Sequence, residues 1–208
     1  DKALKAVLRE SGVNVETFNG SLLREPWELK TGSGGYYRVF TPFWKALKQA
    51  GPARAGTEPR PRKLDAPKRF PKSEAIEDWG LLPAKPNWAK EFETVWAPGE
   101  AGARKRLRDF LDDSIHEYAS GRDRPDKDYT SRLSPHLAFG EISPLQVWQA
   151  AQAKMSAGEI GDSAGEKFLS ELAWREFSYT LLFHNEELPE KPLRAEFADY
   201  PWRNDQKG

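Results

Sequence analysis

The residues from Asp128 to Pro144, reading DYTSRLSPHLAFGEISP, hold the densest set of groups in this chain that could do chemistry. Thr130, Ser131 and Ser134 bring hydroxyls and Arg132 brings a guanidinium. Ser134-Pro135 and Ser143-Pro144 each read as a helix N-cap followed by proline at the first helical position, where a missing N–H costs nothing. Gly140 is placed to end the short helix between them. Free N–H groups at a helix start, beside hydroxyls and an arginine, make a seat for phosphate. The same residues also read as two capped helices around a tight corner, with no ligand.

A second set lies in Phe168–Phe177, FLSELAWREF, on a long helix expected from about 165 to 187. Helical spacing puts Glu171, Trp174, Arg175 and Ser178 on one arc, at i, i+3, i+4 and i+7. A carboxylate, an indole, a guanidinium and a hydroxyl side by side can stack a ring and hydrogen-bond its edge. The plainer reading is an exposed Glu171–Arg175 pair, worth ~0.2–0.5 kcal/mol, beside a half-buried Trp174. Leu169, Leu172 and Phe183 share another arc, as core residues should. Glu176 falls among them, where an unpaired charge is expensive. It needs a cation, and Arg132 of the first set is the candidate, forming a clamp between helices.

The elements that must position these groups are mostly helical. Residues 1–50 read as helix, strand, loop and helix. Leu4, Val7 and Leu8 form one face of the first helix and Gly12 its stop. Val13–Phe18 alternates with a β-branched bias and is closed by Asn19-Gly20. Gly32, Gly34 and Gly35 suit a turn better than a phosphate cradle. Thr41-Pro42 opens the next helix, which carries Phe43, Trp44 and Leu47. Residues 51–72 have five prolines, and seven Lys or Arg against Glu58 and Asp65, the composition of an exposed connector or a basic arm. From Pro98 the pattern is helical: Leu107, Phe110, Leu111, Ser114, Ile115 and Tyr118 recur at 3, 4 and 7, which turns Tyr118 inward. A helix from Ser143 to about Met155 and a loop at 157–165 lead into the long helix.

Composition bounds the function. The 208 residues are 38% hydrophobic and 31% charged, with eight Trp, six Tyr and eleven Phe, a globular balance rich in rings. The formal net charge is zero, short of the basic balance of a dedicated nucleic-acid-binding domain, so DNA contact requires a local patch. No apolar window is long enough to span a membrane and no signal-peptide core opens the chain. A cytoplasmic location is expected, with which the lack of cysteine is compatible. The absence of cysteine excludes disulfides, thiolate metal sites and cysteine nucleophiles. His116, His136 and His184 lack zinc spacing and are expected to be surface or capping residues, so no metal site is expected. No Ser/His/Asp constellation is present either.

Taken together, the TSRLSP…FGEISP run and the ELAWREF helix resemble the flavin-domain signatures of the DNA photolyase and cryptochrome family. Gly35–Phe43, GYYRVFTPF, resembles the family's segment near the end of its first domain. The resemblance implies a mixed, mainly α chain. Residues 1–50 would close an α/β antenna domain with a parallel sheet, 51–97 would be an interdomain linker, and 98–208 would begin an all-helical FAD-binding domain. The chain then reads as a fragment, breaking off in the polar residues 204–208.

The resemblance also implies cofactors and roles. Tyr118, Thr130, Ser131, Leu133 and Ser134 would contact the phosphate and ribityl parts of FAD, with Arg132 inside that run. Phe168 would stand beside the flavin. Glu171 would reach the edges of a flipped-out pyrimidine pair, Trp174 would stack against it, and Arg175 would sit between flavin and DNA, with Ser178 on the same arc. Glu171 and Trp174 would be the catalytic pair, Glu171 and Arg175 also touching the cofactor. A second, folate- or deazaflavin-type antenna chromophore is implied. The implied activity is that of a deoxyribodipyrimidine photolyase: excited reduced flavin passes an electron to a cyclobutane pyrimidine dimer, which splits and returns it. The alternative on the same fold is a cryptochrome photoreceptor. A monomer acting on damaged DNA is expected.

Overall fold

The computed structural model describes residues 2–54, 59 and 61–201. The expected polar break-off at 204–208 and the linker's Glu58 lie outside the described residues. The described residues are helical and contain no strand. The helices are α1 (Lys2–Glu10), α2 (Phe40–Ala50), α3 (Phe92–Val95), α4 (Glu100–Asp109), α5 (Ile115–Gly121), α6 (Ser134–Ala138), α7 (Pro144–Ser156) and α8 (Asp162–His184). Short 3₁₀ turns lie at Ile76–Trp79 and Ala195–Phe197.

The chain forms two compact units, one from 1–53 with 173–208 and the other from 54–172. In the first, Phe43 and Leu47 of α2 are buried with Leu23, Leu29, Ala173 and Phe177. The Phe43 and Phe177 rings lie 5.3 Å apart. The expected strand at 13–18 is corrected to irregular chain without a ladder partner, with Val13 48% and Phe18 76% exposed. Alternation alone makes no strand: a ladder needs a neighbour, and the described residues supply none. The parallel sheet is likewise absent among them. Phe183, expected in the core, is 47% exposed and packs against Trp27 at 5.2 Å.

In the second unit, Leu107, Phe110, Leu111, Ile115 and Tyr118 form a continuous buried face with Phe168, Leu169 and Leu172 of α8. A π-helical turn, Phe110–Ser114, joins α4 to α5. Such turns insert a residue into the helical count and re-aim the side chains of the next turns. Tyr118 still faces inward, only 7% exposed, as its spacing requires.

The two Ser-Pro corners differ. Ser143 caps α7 with a complete capping box, its hydroxyl accepting the Gln146 N–H while the Gln146 side chain accepts the Ser143 N–H. Ser134 is not a cap but the first residue of α6, behind Leu133 in right-handed conformation, and makes no capping bond. Thr41 is likewise inside α2, which begins at Phe40 behind an extended Val39. The helix starts one residue too early for Ser134 to cap α6, and two residues too early for Thr41 to cap α2. Gly140 ends the α6 corner with φ of 70°.

Candidate functional site

In the second unit, Tyr118 meets Phe110 and Phe168 edge-on, with centroids 5.5 and 5.6 Å away. Phe110 and Phe168 lie 4.8 Å apart, closing a three-ring cluster. Burial pushes the Tyr118 phenol above its ordinary range, and the nearby Glu171 carboxylate adds to the effect. One turn past Tyr118, at the C-cap of α5, the Arg122 guanidinium forms an ion pair with Glu171. Lys167 reaches the same carboxylate at 3.1 Å. The partners of Glu171 are thus Arg122 and Lys167, in place of the expected Arg175.

The run after α5 turns back beneath that helix. Tyr129 packs so closely on Gly121 that a Cβ there would lie 3.0 Å from the ring's Cε2. Arg132 has φ of 50°, a left-handed conformation that non-glycine residues rarely adopt. Its carbonyl accepts the Trp96 indole N–H at 3.1 Å, and its guanidinium pairs with Asp128 at 2.9 Å. Leu133 is buried, at 1% exposure, while Thr130 and Ser134 are exposed and Ser131 half-buried. Their three hydroxyls have no protein hydrogen bond among the described residues.

His136, expected to be a surface or capping residue, is buried. Its Nδ1 lies 2.5 Å from one Glu141 oxygen, and the other oxygen accepts the Gly99 N–H at 2.8 Å. These bonds, that to His136 foremost, hold the Glu141 carboxyl below its usual range. A histidine on this corner is buried because Glu141, just past Gly140, folds back to take its ring nitrogen.

In the first unit, Trp174 is 44% exposed and stacks flat on Phe40, with centroids 3.7 Å apart and planes 7° apart. Phe177 meets its edge at 5.8 Å. Ser178, also exposed, donates its hydroxyl to the Trp174 carbonyl at 2.9 Å. Arg175 donates to the Ser21 carbonyl at 2.7 Å and to Glu176 at 3.1 Å, with its guanidinium over the Tyr179 ring. Glu176 does not pair with Arg132. Its other oxygen accepts the Leu23 N–H at 2.7 Å, so a backbone amide and the adjacent arginine meet the charge locally. At 3% exposure, desolvation still raises its carboxyl to about 7.

Sequence reasoning missed Arg122, Lys167, Trp96 and Phe40. Arg122 is four residues from Tyr118 and Lys167 four from Glu171, so helical spacing could have found both. Trp96 and Phe40 reach their partners through tertiary folding, which no spacing records.

The comparisons with known proteins agree with these motifs. The DNA photolyase family profile matches residues 1–65. A deoxyribodipyrimidine photo-lyase of Agrobacterium fabrum is 50% identical over 207 residues, covering 100% of this chain and 43% of that protein. The chain belongs to the DNA photolyase family. The crystal structure of a bacterial class III photolyase from Agrobacterium tumefaciens matches with a TM-score of 0.88 at 48% identity, covering 100% of this chain and 42% of that one. Cryptochrome-1 of Arabidopsis thaliana is 31% identical over 220 residues, which are 99% of this chain and 31% of that protein. The chain thus spans less than half the length of these photolyase relatives. No helix among the described residues is long and apolar enough to cross a membrane, and none of their acids and histidines cluster as a metal site.

Proposed function

We propose that the protein to which these residues belong is a light-dependent DNA repair enzyme, an FAD-dependent photolyase that splits cyclobutane pyrimidine dimers. The observation that carries this reading is the half-exposed Trp174 indole, braced flat against Phe40. A rigid aromatic plane open to solvent is what a flipped-out base pair stacks on, at ~1–3 kcal/mol per base. Phe40 restricts the indole to one orientation, so less freedom is lost when the lesion arrives.

The residues present fit FAD. Thr130, Ser131 and Ser134 offer hydroxyls without protein partners among the described residues, on a backbone whose left-handed Arg132 precedes a right-handed Leu133. Such a reversal turns successive N–H groups toward one point, where a phosphate is well held. Leu133 anchors the run in the core, while Tyr118 and Phe168 supply an apolar wall. When bound, reduced FAD supplies the electron that light drives onto the dimer. The protein's part is binding, orientation and exclusion of water. Glu171, held in place by Arg122 and Lys167, would accept hydrogen bonds from the edge of the pyrimidine pair. Arg175 and Ser178 would line the approach of the DNA backbone.

In this reading residues 1–50 end an antenna domain, 51–97 link it to the next, and 98–208 begin the helical FAD-binding domain. A folate- or deazaflavin-type pigment would occupy the antenna domain. The enzyme would act as a cytoplasmic monomer on damaged DNA. The similarity to Cryptochrome-1 supports a second reading, a blue-light receptor, although its 31% identity is well below the 50% of the A. fabrum photo-lyase. Blue-light repair of a thymine-dimer oligonucleotide by the full-length protein separates the two. Repair in light and none in the dark is expected. Light-driven flavin reduction without repair would favour the receptor.

A further inference from the structure

Resting on the reading of residues 130–134 as the cofactor's phosphate seat, we infer that Trp96 is a positioning residue for FAD: its indole N–H holds the Arg132 carbonyl and thereby the turn that presents Ser131 and Ser134. The hydrogen bond is 3.1 Å long and reaches the one non-glycine residue with positive φ among the described residues. A left-handed arginine persists only where its surroundings over-determine it. The Asp128 pair cannot do this alone, because both side chains are substantially exposed, at 37% and 59%, and such pairs are weak.

Trp96 is itself well fixed. Its backbone N–H donates to the Phe92 carbonyl at 2.9 Å, and its ring meets Phe92 edge-on at 5.9 Å. The preceding carbonyl, of Val95, accepts from Arg106 at 2.8 Å. Three residues on, the Gly99 N–H binds Glu141, which holds His136. The segment 96–99 therefore grips the phosphate-seat corner on both sides of α6, at Arg132 and at Glu141. None of these groups needs to touch the cofactor. Trp96 acts through the backbone it restrains.

The test is FAD binding to flavin-stripped full-length protein, monitored by flavin fluorescence. Trp96→Phe keeps an aromatic ring and removes the donor together with the indole's second ring, and the Arg132→Gly background separates the two effects. The dissociation constant is expected to rise roughly 2- to 10-fold, the worth of one net hydrogen bond. In an Arg132→Gly background the same substitution should change it less than about twofold, since glycine adopts positive φ unaided. An equal effect in both backgrounds, or none in either, overturns the inference. Should Trp96→Phe fail to fold, hydrogen exchange of the Trp96 indole N–H in the unaltered protein decides. Strong protection supports the bond, and exchange as fast as a solvent-exposed indole overturns it. Wild-type protein that binds no FAD would instead remove the phosphate seat, and this inference with it.

Discussion

Trp174 and Glu176 are two residues apart on α8 and have opposite fates. Trp174 offers a plane to solvent, so Trp174→Ala in the full-length protein should keep flavin yet weaken binding to dimer-containing DNA by ~1–3 kcal/mol. Unchanged affinity for damaged over undamaged DNA would remove it from the site. Glu176 is buried, and desolvation raises its carboxyl from 4.5 to about 7. The folded state therefore holds this proton more tightly than the unfolded chain. The stability this confers is complete below about pH 4.5 and lost as pH rises through about 7, a swing of at most ~3 kcal/mol. Glu176→Gln retains an acceptor for Leu23 and should flatten that loss. Urea midpoints of both proteins at pH 5 and pH 8 measure the difference, and parallel pH profiles would refute it. The oddness of Glu176 was legible in its position on an apolar arc. Its partner was not, because a backbone N–H is invisible to an argument that looks for cations.

At the scale of elements, the 3, 4 and 7 spacings located α4 and α5 and turned Tyr118 inward, since burial of one face is what a helix sequence encodes most directly. Caps were less legible. Ser143 and Ser134 have the same Ser-Pro signature, but only Ser143 is followed by a glutamine able to return the bond. Ser143→Ala is expected to cost about 1 kcal/mol and Ser134→Ala far less in thermal unfolding of the apo-protein. The expected strand at 13–18 failed for want of a neighbour. Two buried or half-buried glycines give a further contrast. A Cβ on Gly102 would lie 2.8 Å from the backbone carbon of Ala97 and closer still to its oxygen, whereas one on Gly165 would meet the flexible Met155 side chain. Gly102→Ala should destabilise by ~1–3 kcal/mol, while Gly165→Ala can be relieved by a new Met155 rotamer. Equal losses in denaturant unfolding would contradict this.

For the whole molecule, the family was legible because two long motifs occur in order. Which residues brace them was not, since Phe40 meets Trp174, and Trp96 meets Arg132, only after folding. The first compact unit is drawn from both sides of the chain, and its seams are Leu23 with Glu176, Phe40 with Trp174, and Tyr36 with Asn185. Between these two portions, residues 61–82 are exposed throughout and include Arg62, Lys63, Lys68, Arg69 and Lys72. Trypsin should therefore nick this stretch first, and the two pieces should elute together until denatured. Early separation of the pieces on a sizing column would show the seams to be weak. Once folded, then, the first unit is expected not to depend on an unbroken chain here: its amino-terminal portion should stay on α8 as a non-covalent complement.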